Sequence, residues 1–472
     1  MDDVTWTMLG GLELVWVVAL ALGLVLERRS PVATLAWILA LALLPAVGII
    51  VYLFLGPRRL ARKKRKRAAS KSQLRAAIDL VDAETDDVSR TQLAQLGVSA
   101  GEAPPLPAHG VELFTEGDAC FAAMLHAIAG AQQHIHLEYY IWQPDRIGTR
   151  LRDALIERAS AGVEVRLLLD GIGAFSIKDR FLAPLRAAGA TVEWFNAVNP
   201  LRGRFRRANF RTHRKILVVD GRIGFTGGIN VDECHGAEFR EGRAWRDTHL
   251  RFEGTAVLAL QRLFLEDWGF ASERDAPTGL PYLPRPSTGG DHLVQVVGSG
   301  PDTDVFAIHK LYFSAITSAK DRVWITTPYF VPDEPILEAI STAAMRKVDV
   351  RIIVPRAGDS RLVNFAARSY FPELLQAGAR IFEYEGRFIH AKTMVVDHDL
   401  AVVGTANLDN RSFRLNFEVV AAVYSTDLAA RLGEAFEADL ASTREVQPKT
   451  LQREPLLVRL GESAARLMSP LL

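Results

Sequence analysis

The sequence predicts an α/β protein, with two pseudo-symmetric α/β/α sandwich domains preceded by two transmembrane helices. Three observations carry this expectation. Strand-like and helix-like apolar patterns alternate along most of the chain; an eighteen-residue stretch, His213 to Asn230, recurs from His390 to Asn407; and two long apolar runs open the sequence. The 472 residues, 49% hydrophobic and 24% charged, suffice for one or two large cores and exclude a disordered protein. A formal net charge of +1 says nothing about partners until the charges are located.

The first elements are the apolar runs Leu9–Leu26, interrupted by Glu13, and Val32–Leu55, which carries no charge. Each approaches the ~20 residues that cross a bilayer core. The five residues Glu27 to Pro31 join them in a hairpin too tight for a folded loop. The start Met1-Asp2-Asp3 lacks the positive region of a cleaved signal peptide. Arg58 to Arg67 holds eight basic residues in ten, which places that side in the cytoplasm by the positive-inside rule and also suits anionic headgroups. The spans therefore imply a multi-pass membrane protein whose following domains lie in the cytoplasm.

Domain bounds follow from composition: spans over 1–57, a basic segment and linker over 58–108, and sandwiches over 109–285 and 286–472. The linker reads as a short amphipathic helix and a flexible, Pro-rich approach. In the first half, Val111–Phe114 reads as a strand. A helix over Asp118–Ala131 is expected to bury Phe121, Leu125 and Ile128, and His134–Trp142 has strand composition. A helix Thr149–Ala161 and a strand Val163–Leu169 follow. The same order returns after the Pro-Gly break at 277–290. A period of about 180 residues means two equivalent domains instead of a solenoid.

Within the repeat, His390, Lys392, Asp397, Gly404 and Asn407 each stand 177 positions after His213, Lys215, Asp220, Gly227 and Asn230. The His and Lys of each copy are two residues apart on a strand, so they share a face. The first half carries a twelve-residue insertion before His213, with Arg202, Arg204, Arg206, Arg207 and Arg211 interleaved with Phe205 and Phe210. Arginines among aromatics suit phosphate headgroups at a bilayer; a solvated basic loop is the alternative.

Two histidines, two lysines and two asparagines that converge can hold and transfer a phosphate. One neutral imidazole attacks phosphorus while the other protonates the departing oxygen. Lys215 and Lys392 would neutralise the phosphoryl oxygens, and Asn230 and Asn407 would donate hydrogen bonds to them. Each histidine needs a carboxylate to fix its tautomer. Glu418 and Asp247 stand on matching strands of the two halves; Asp247 is preferred to Glu241 because the apolar pattern after it aligns better. Asp220 and Asp397 precede tight turns and are candidates both for catalysis and for strand-end pairing. No metal or cofactor is implied, and Cys120 and Cys234 form neither a disulfide framework nor a zinc motif.

These residues resemble the phospholipase D superfamily, whose H-x-K-x4-D-x6-G-[GST]-x-N signature is complete in both halves. H-L-E-Y-Y-I-W at His136, I-T-T-P-Y-F-V-P at Ile325, G-T-A-N-L-D-N-R-S at Gly404, L-N-F-E at Leu415 and the terminal S-P-L-L narrow the resemblance to bacterial cardiolipin synthases. The resemblance implies phospholipase D-type domains acting on phosphatidylglycerol among anionic membrane lipids. It implies a phosphatidyl-histidine intermediate with His213 as nucleophile and His390 as acid and base. Pseudo-symmetry leaves the reverse assignment open. Gly228 departs from the Ser or Thr of many members, which removes an expected hydroxyl contact to phosphate in that half.

The same residues serve a hydrolase or a transferase to another alcohol. A nuclease does not explain the spans, so no nucleic-acid partner is expected, and a scaffold would have lost one of the His or Lys residues. Leu456 to Leu472 has near-helical apolar spacing, read as packing on the core, with an interfacial helix the alternative.

Overall fold

In the computed structural model, residues 91–197, 209–272, Tyr282, Pro284, 289–303, 305–472 and isolated positions between 18 and 39 are described. The predicted spans, the basic run, most of the linker and residues 202–207 of the insertion lie outside them. Among the described residues no helix is long and apolar enough to cross a membrane.

The first half contributes β1 (Leu106–Phe114), β2 (His134–Tyr139), β3 (Glu164–Asp170), β4 (Thr191–Phe195), β5 (Lys215–Val219), β6 (Ile223–Gly227) and β7 (His249–Glu253). The second contributes β8 (His292–Ser299), β9 (Arg322–Thr326), β10 (Phe330–Val331), β11 (Asp349–Pro355), β12 (Arg380–Tyr384), β13 (Thr393–Val396), β14 (Leu400–Gly404), β15 (Leu408–Asp409), β16 (Glu418–Tyr424) and β17 (Thr443–Glu445). The first half is ordered β4-β3-β2-β5-β6-β7-β1, and the second β12-β11-β9-β13-β14-β16-β8 with β17 added at its edge. These are the same order, strand for strand. The halves are not separate sandwiches, however. Edge strands β1 and β8 pair antiparallel, with Leu106 opposite Val294, and join everything into one fifteen-stranded sheet. Pairing removes two edges that would otherwise expose unbonded backbone.

Apolar side chains on one sheet face form a core common to both halves, which includes Leu260 and Phe264 of the helix Val257–Ser272 and Leu432 and Phe436 of Thr426–Leu440. Separate outer cores lie under the helices on the other face of each half. Because the helix Val257–Ser272 is covered on all sides, even its charges are buried, and Arg262 pairs with Glu102 at 2.6 Å.

Local elements shift at their ends. The linker helix is Gln92–Ser99, capped by the Thr91 hydroxyl. β1 starts at Leu106, inside the Pro-rich stretch expected to be flexible, because pairing with β8 holds it. The helix Gly117–Gly130 buries Phe121 and Ile128 but places Met124, and not Leu125, in the core. The helix expected from Thr149 begins at Arg146, where the Asp145 carboxylate accepts the Gly148 N–H at 2.9 Å.

Candidate active site

Both repeated stretches fold as hairpins, β5–β6 and β13–β14. Their leading residues are then stitched across the halves. The N–H of His213 donates to the carbonyl of Phe417 (2.9 Å), immediately before Glu418; that of His390 donates to the carbonyl of Arg246 (2.7 Å), immediately before Asp247. Each histidine is thereby delivered to the carboxylate of the opposite half. His213 Nδ1 lies 3.0 Å from Glu418 Oε1, and His390 Nδ1 lies 2.7 Å from Asp247 Oδ2. Bound this way, each ring carries its proton on Nδ1, which leaves Nε2 available to the pocket.

That pocket, about 380 Å³, is lined by both histidines, Asn230, Asn407, Tyr140 and Trp245 among others. An aromatic ring braces each imidazole: Tyr140 stands edge-on to His213 at 4.9 Å, and Trp245 lies 5.2 Å from His390. A larger groove of about 520 Å³ lies on the second half, lined by Arg361, Arg368 and Arg444 and by no histidine.

Lys215 and Lys392 sit behind their histidines, each ammonium donating to the carbonyl of its own His, at 2.7 Å for Lys215. Burial pushes Lys215 down to about 8 and Lys392 down to about 7, where the Lys215 charge also acts. Burial likewise lowers both histidines. For His213 the Glu418 charge opposes it, whereas His390 falls well below its ordinary value with Lys392, Lys215 and His213 adding to the effect. Burial thus favours the neutral form of both rings. Burial works to raise Glu418, but His213, the Lys215 charge and the Thr405 hydroxyl together outweigh it and hold the carboxyl below its usual range.

The asparagines of the two copies are held alike. The Asn230 N–H donates to His235 Nε2 at 3.3 Å, and the Asn407 N–H to the Ser412 hydroxyl at 3.1 Å. The Asn407 side-chain oxygen is buried without a hydrogen-bond partner.

Asp220 and Asp397 are not brought to this pocket. Asp220 caps the far end of β5, its carboxylate accepting backbone N–H groups of Gln132, Gln133 and His134 at 2.8–2.9 Å. Asp397 does the same for Lys320, Asp321 and Arg322. Both have positive φ, 53° and 49°, a conformation Asp tolerates because its short side chain bonds locally. Of the two roles open to them, this geometry serves strand-end pairing: the aspartate of each signature bonds its hairpin to the neighbouring strand. Arg211 of the insertion is also spent within the fold, on the buried Asp170 at 3.2 Å.

Gly228 and its counterpart Thr405 differ from expectation too. The Thr405 hydroxyl donates to Glu418 at 2.5 Å, not toward the pocket. At Gly228 a Cβ would lie 2.0 Å from Asp247 Oδ1, so that shorter carboxylate fills the space of a side chain. The sequence argument missed Thr405, Tyr140, Trp245 and His235. The first lies within the signature; the aromatics adjoin motif residues; the lone His235 gave no signal.

Among the described residues, His235, Asp247 and His390 form a group whose ligand atoms fall within 4.8 Å of one another, close enough to hold a metal. The tautomer argues against that use. Since His235 Nε2 accepts the Asn230 N–H, its proton resides on Nδ1, the atom a metal would need, and faces Asp247 Oδ2 at 3.6 Å.

Comparison with known proteins adds to this geometry. The family described as "Cardiolipin synthase, PLD-like domain" matches residues 124–238 and 312–440, and "Phospholipase_D-nuclease N-terminal" matches 14–57. The chain is 38% identical to cardiolipin synthase 1 of Bacillus anthracis, over 99% of this chain and 94% of that protein. It is 40% identical to a cardiolipin synthase of Geobacillus thermodenitrificans, over 97% and 92%. A crystal structure of phosphatidylserine synthase from Haemophilus influenzae shares the fold at a TM-score of 0.62 and 14% identity, covering 81% of this chain and all of that one.

Proposed function

The chain belongs to the cardiolipin synthase family of phospholipase D-like proteins, and we propose that it converts two phosphatidylglycerol molecules into cardiolipin and glycerol. One observation carries the chemistry: two imidazoles, each with Nδ1 held by a carboxylate of the opposite half, share one pocket.

His213 Nε2 attacks the phosphorus of the first lipid as the bond to glycerol oxygen breaks. His390, charged once the phosphodiester anion has entered, donates its Nε2 proton to that oxygen. The product is a phosphatidyl-histidine and free glycerol. His390, now neutral, takes the proton from a hydroxyl of the second phosphatidylglycerol. That oxygen attacks phosphorus, the P–N bond breaks, and His213 is restored. Lys215, Lys392 and the two asparagines stabilise the phosphoryl oxygens. One phosphodiester replaces another, so no nucleotide drives the exchange. The apolar runs within residues 1–57 support a membrane-anchored enzyme that meets its lipids at the cytoplasmic face.

The purified chain in phosphatidylglycerol micelles should release glycerol and form cardiolipin in equal amounts, with EDTA present or absent. Phosphatidic acid as the sole product would replace this reading with a hydrolase.

A further inference from the structure

We propose that the helix Leu456–Arg466 and its neighbour Arg361–Arg368 form a bilayer-docking surface at the rim of the catalytic pocket. The inference rests on the reading above only for the identity of the lipid.

The C-terminal helix is inverted relative to a helix packed on a core. At 3.6 residues per turn, Leu456, Leu457, Leu460 and, just past its end, Leu467 fall on one arc, while Glu462 and Ala465 fall on the other. The leucine arc faces outward, with Leu457 82% and Leu467 81% exposed, whereas Glu462 is only 8% exposed. A surface helix ordinarily does the reverse. The orientation is fixed from beneath: Glu462 accepts from Arg368 at 2.9 Å, and Arg368 also pairs with Glu383 and Glu454. The leucines thus extend outward from a helix anchored by its polar side. Exposed Leu362 and Phe365 widen the apolar face from the neighbouring helix. An apolar patch of this kind marks a surface that meets something apolar.

Its position and charge select a bilayer. Ser360, which caps the helix Arg361–Arg368, lines the catalytic pocket, as do Val363 of that helix and Leu472 at the end of the chain. The patch therefore begins where lipid would enter. Arg361, Arg453 and Arg459 are exposed around it and have no acidic partner among the described residues, a fringe that suits anionic headgroups. Phe175 is 73% exposed on the loop that packs Gly173 against Tyr140, which lines the same pocket. The sequence expectation that this terminal segment packs on the core holds for Ala465 and Leu472 and fails for Leu456, Leu457, Leu460 and Leu467.

The test uses the full chain in vesicles of phosphatidylglycerol and phosphatidylcholine. Because Cys120 and Cys234 are buried, an environment-sensitive fluorophore can be directed to a Leu457→Cys variant. Nitroxides on the lipid acyl chains should quench it at least about twofold more than aqueous iodide does. Stronger quenching by iodide overturns the proposal. So does shielding from both quenchers together with disulfide cross-linking between copies, which would make the patch a self-interface. In a second arm, Leu456→Glu, Leu457→Glu and Leu460→Glu combined should lower kcat/KM on vesicles roughly tenfold and leave turnover of monomeric short-chain phosphatidylglycerol unchanged. Equal losses on both substrates also overturn it. A wild-type chain that makes no cardiolipin would sink the catalytic reading alone, since the fluorescence arm involves no turnover.

Discussion

The His213–Glu418 pair is closed by a hydroxyl and the His390–Asp247 pair by a second imidazole. Glu418 is long enough to leave room for Thr405, whose hydroxyl satisfies it at 2.5 Å, and Asn416 adds a third donor at 3.3 Å. Asp247 is one methylene shorter. It stands where a side chain at residue 228 would be, and takes the Thr248 N–H at 2.7 Å while His235 approaches from the side. Thr with Glu, and Gly with Asp, are therefore matched solutions to one problem: seating a buried carboxylate with hydrogen-bond donors behind an imidazole. The halves share a strand order yet surround their histidines with different donors.

The largest test of this comparison removes the rings themselves. His213→Ala and His390→Ala should each lower transfer by about 10⁴-fold or more. If His213 attacks, acid-quenched His390→Ala retains labelled lipid on the protein and His213→Ala does not. The opposite pattern would exchange the two roles.

Asp247→Asn and Glu418→Gln should each cost about 10³-fold, because an amide no longer selects the Nδ1–H tautomer. The crosswise pairing makes a sharper demand. Asp247→Asn added to His390→Ala should cost almost nothing further, whereas Asp247→Asn added to His213→Ala should cost more. Double-mutant cycles that couple Asp247 to His213 instead would refute the geometry.

Next come the filler residues. Gly228→Ala drives a methyl into Asp247 and should lower kcat by about 10²-fold, while Thr405→Ala removes one hydrogen bond to a charged group and should cost about tenfold. His235→Phe should cost about tenfold as well. With the imidazole N–H that faces Asp247 across 3.6 Å gone, the carboxylate holds the His390 proton more tightly, so the alkaline limb of kcat/KM moves to higher pH. His235→Gln, which keeps an acceptor for the Asn230 N–H and an N–H₂ toward Asp247, should restore the profile. A parallel loss at every pH in both variants would mean that His235 only fills space.

The smallest effect concerns the lysines. Lys392, at about 7, lies below Lys215, at about 8: burial lowers both and three carboxylates oppose it at each, but at Lys392 the Lys215 charge adds to the lowering. Both folded values are depressed below the ordinary lysine range, so the fold favours the neutral form. Charging them costs stability fully at pH below these values, and the cost disappears as pH rises toward the unfolded value near ~10.4. Activity moves the other way, since kcat/KM should fall as pH rises through about 7 to 8 and the ammonium groups are lost. Lys392→Met should accordingly raise Tm by about 2–4 °C. A lower Tm would show that the lysine supports the fold.

Much of this was legible without coordinates. The repeat announced two halves of one strand order because apolar periodicity is a local property, and the same period-two and 3.6 patterns return in both copies. The residue types of the site were legible too, down to Asp247 and Glu418. The pairings were not. His213 meets a carboxylate 205 positions away and His390 one 143 positions away, because backbone bonds to Phe417 and Arg246 join strands of different halves. No spacing within either half contains that information. Asp220 and Asp397 read equally as chemistry or as strand-end pairing, and the backbone N–H groups they bind lie far away in the sequence. A leucine-rich terminal segment read as core until the Glu462–Arg368 pair turned its apolar arc outward. Sequence determined which groups the chain carries and the order of its strands, since both depend on neighbours along the chain. Tertiary structure alone decided which groups face one another, since that depends on contacts between residues far apart in the chain.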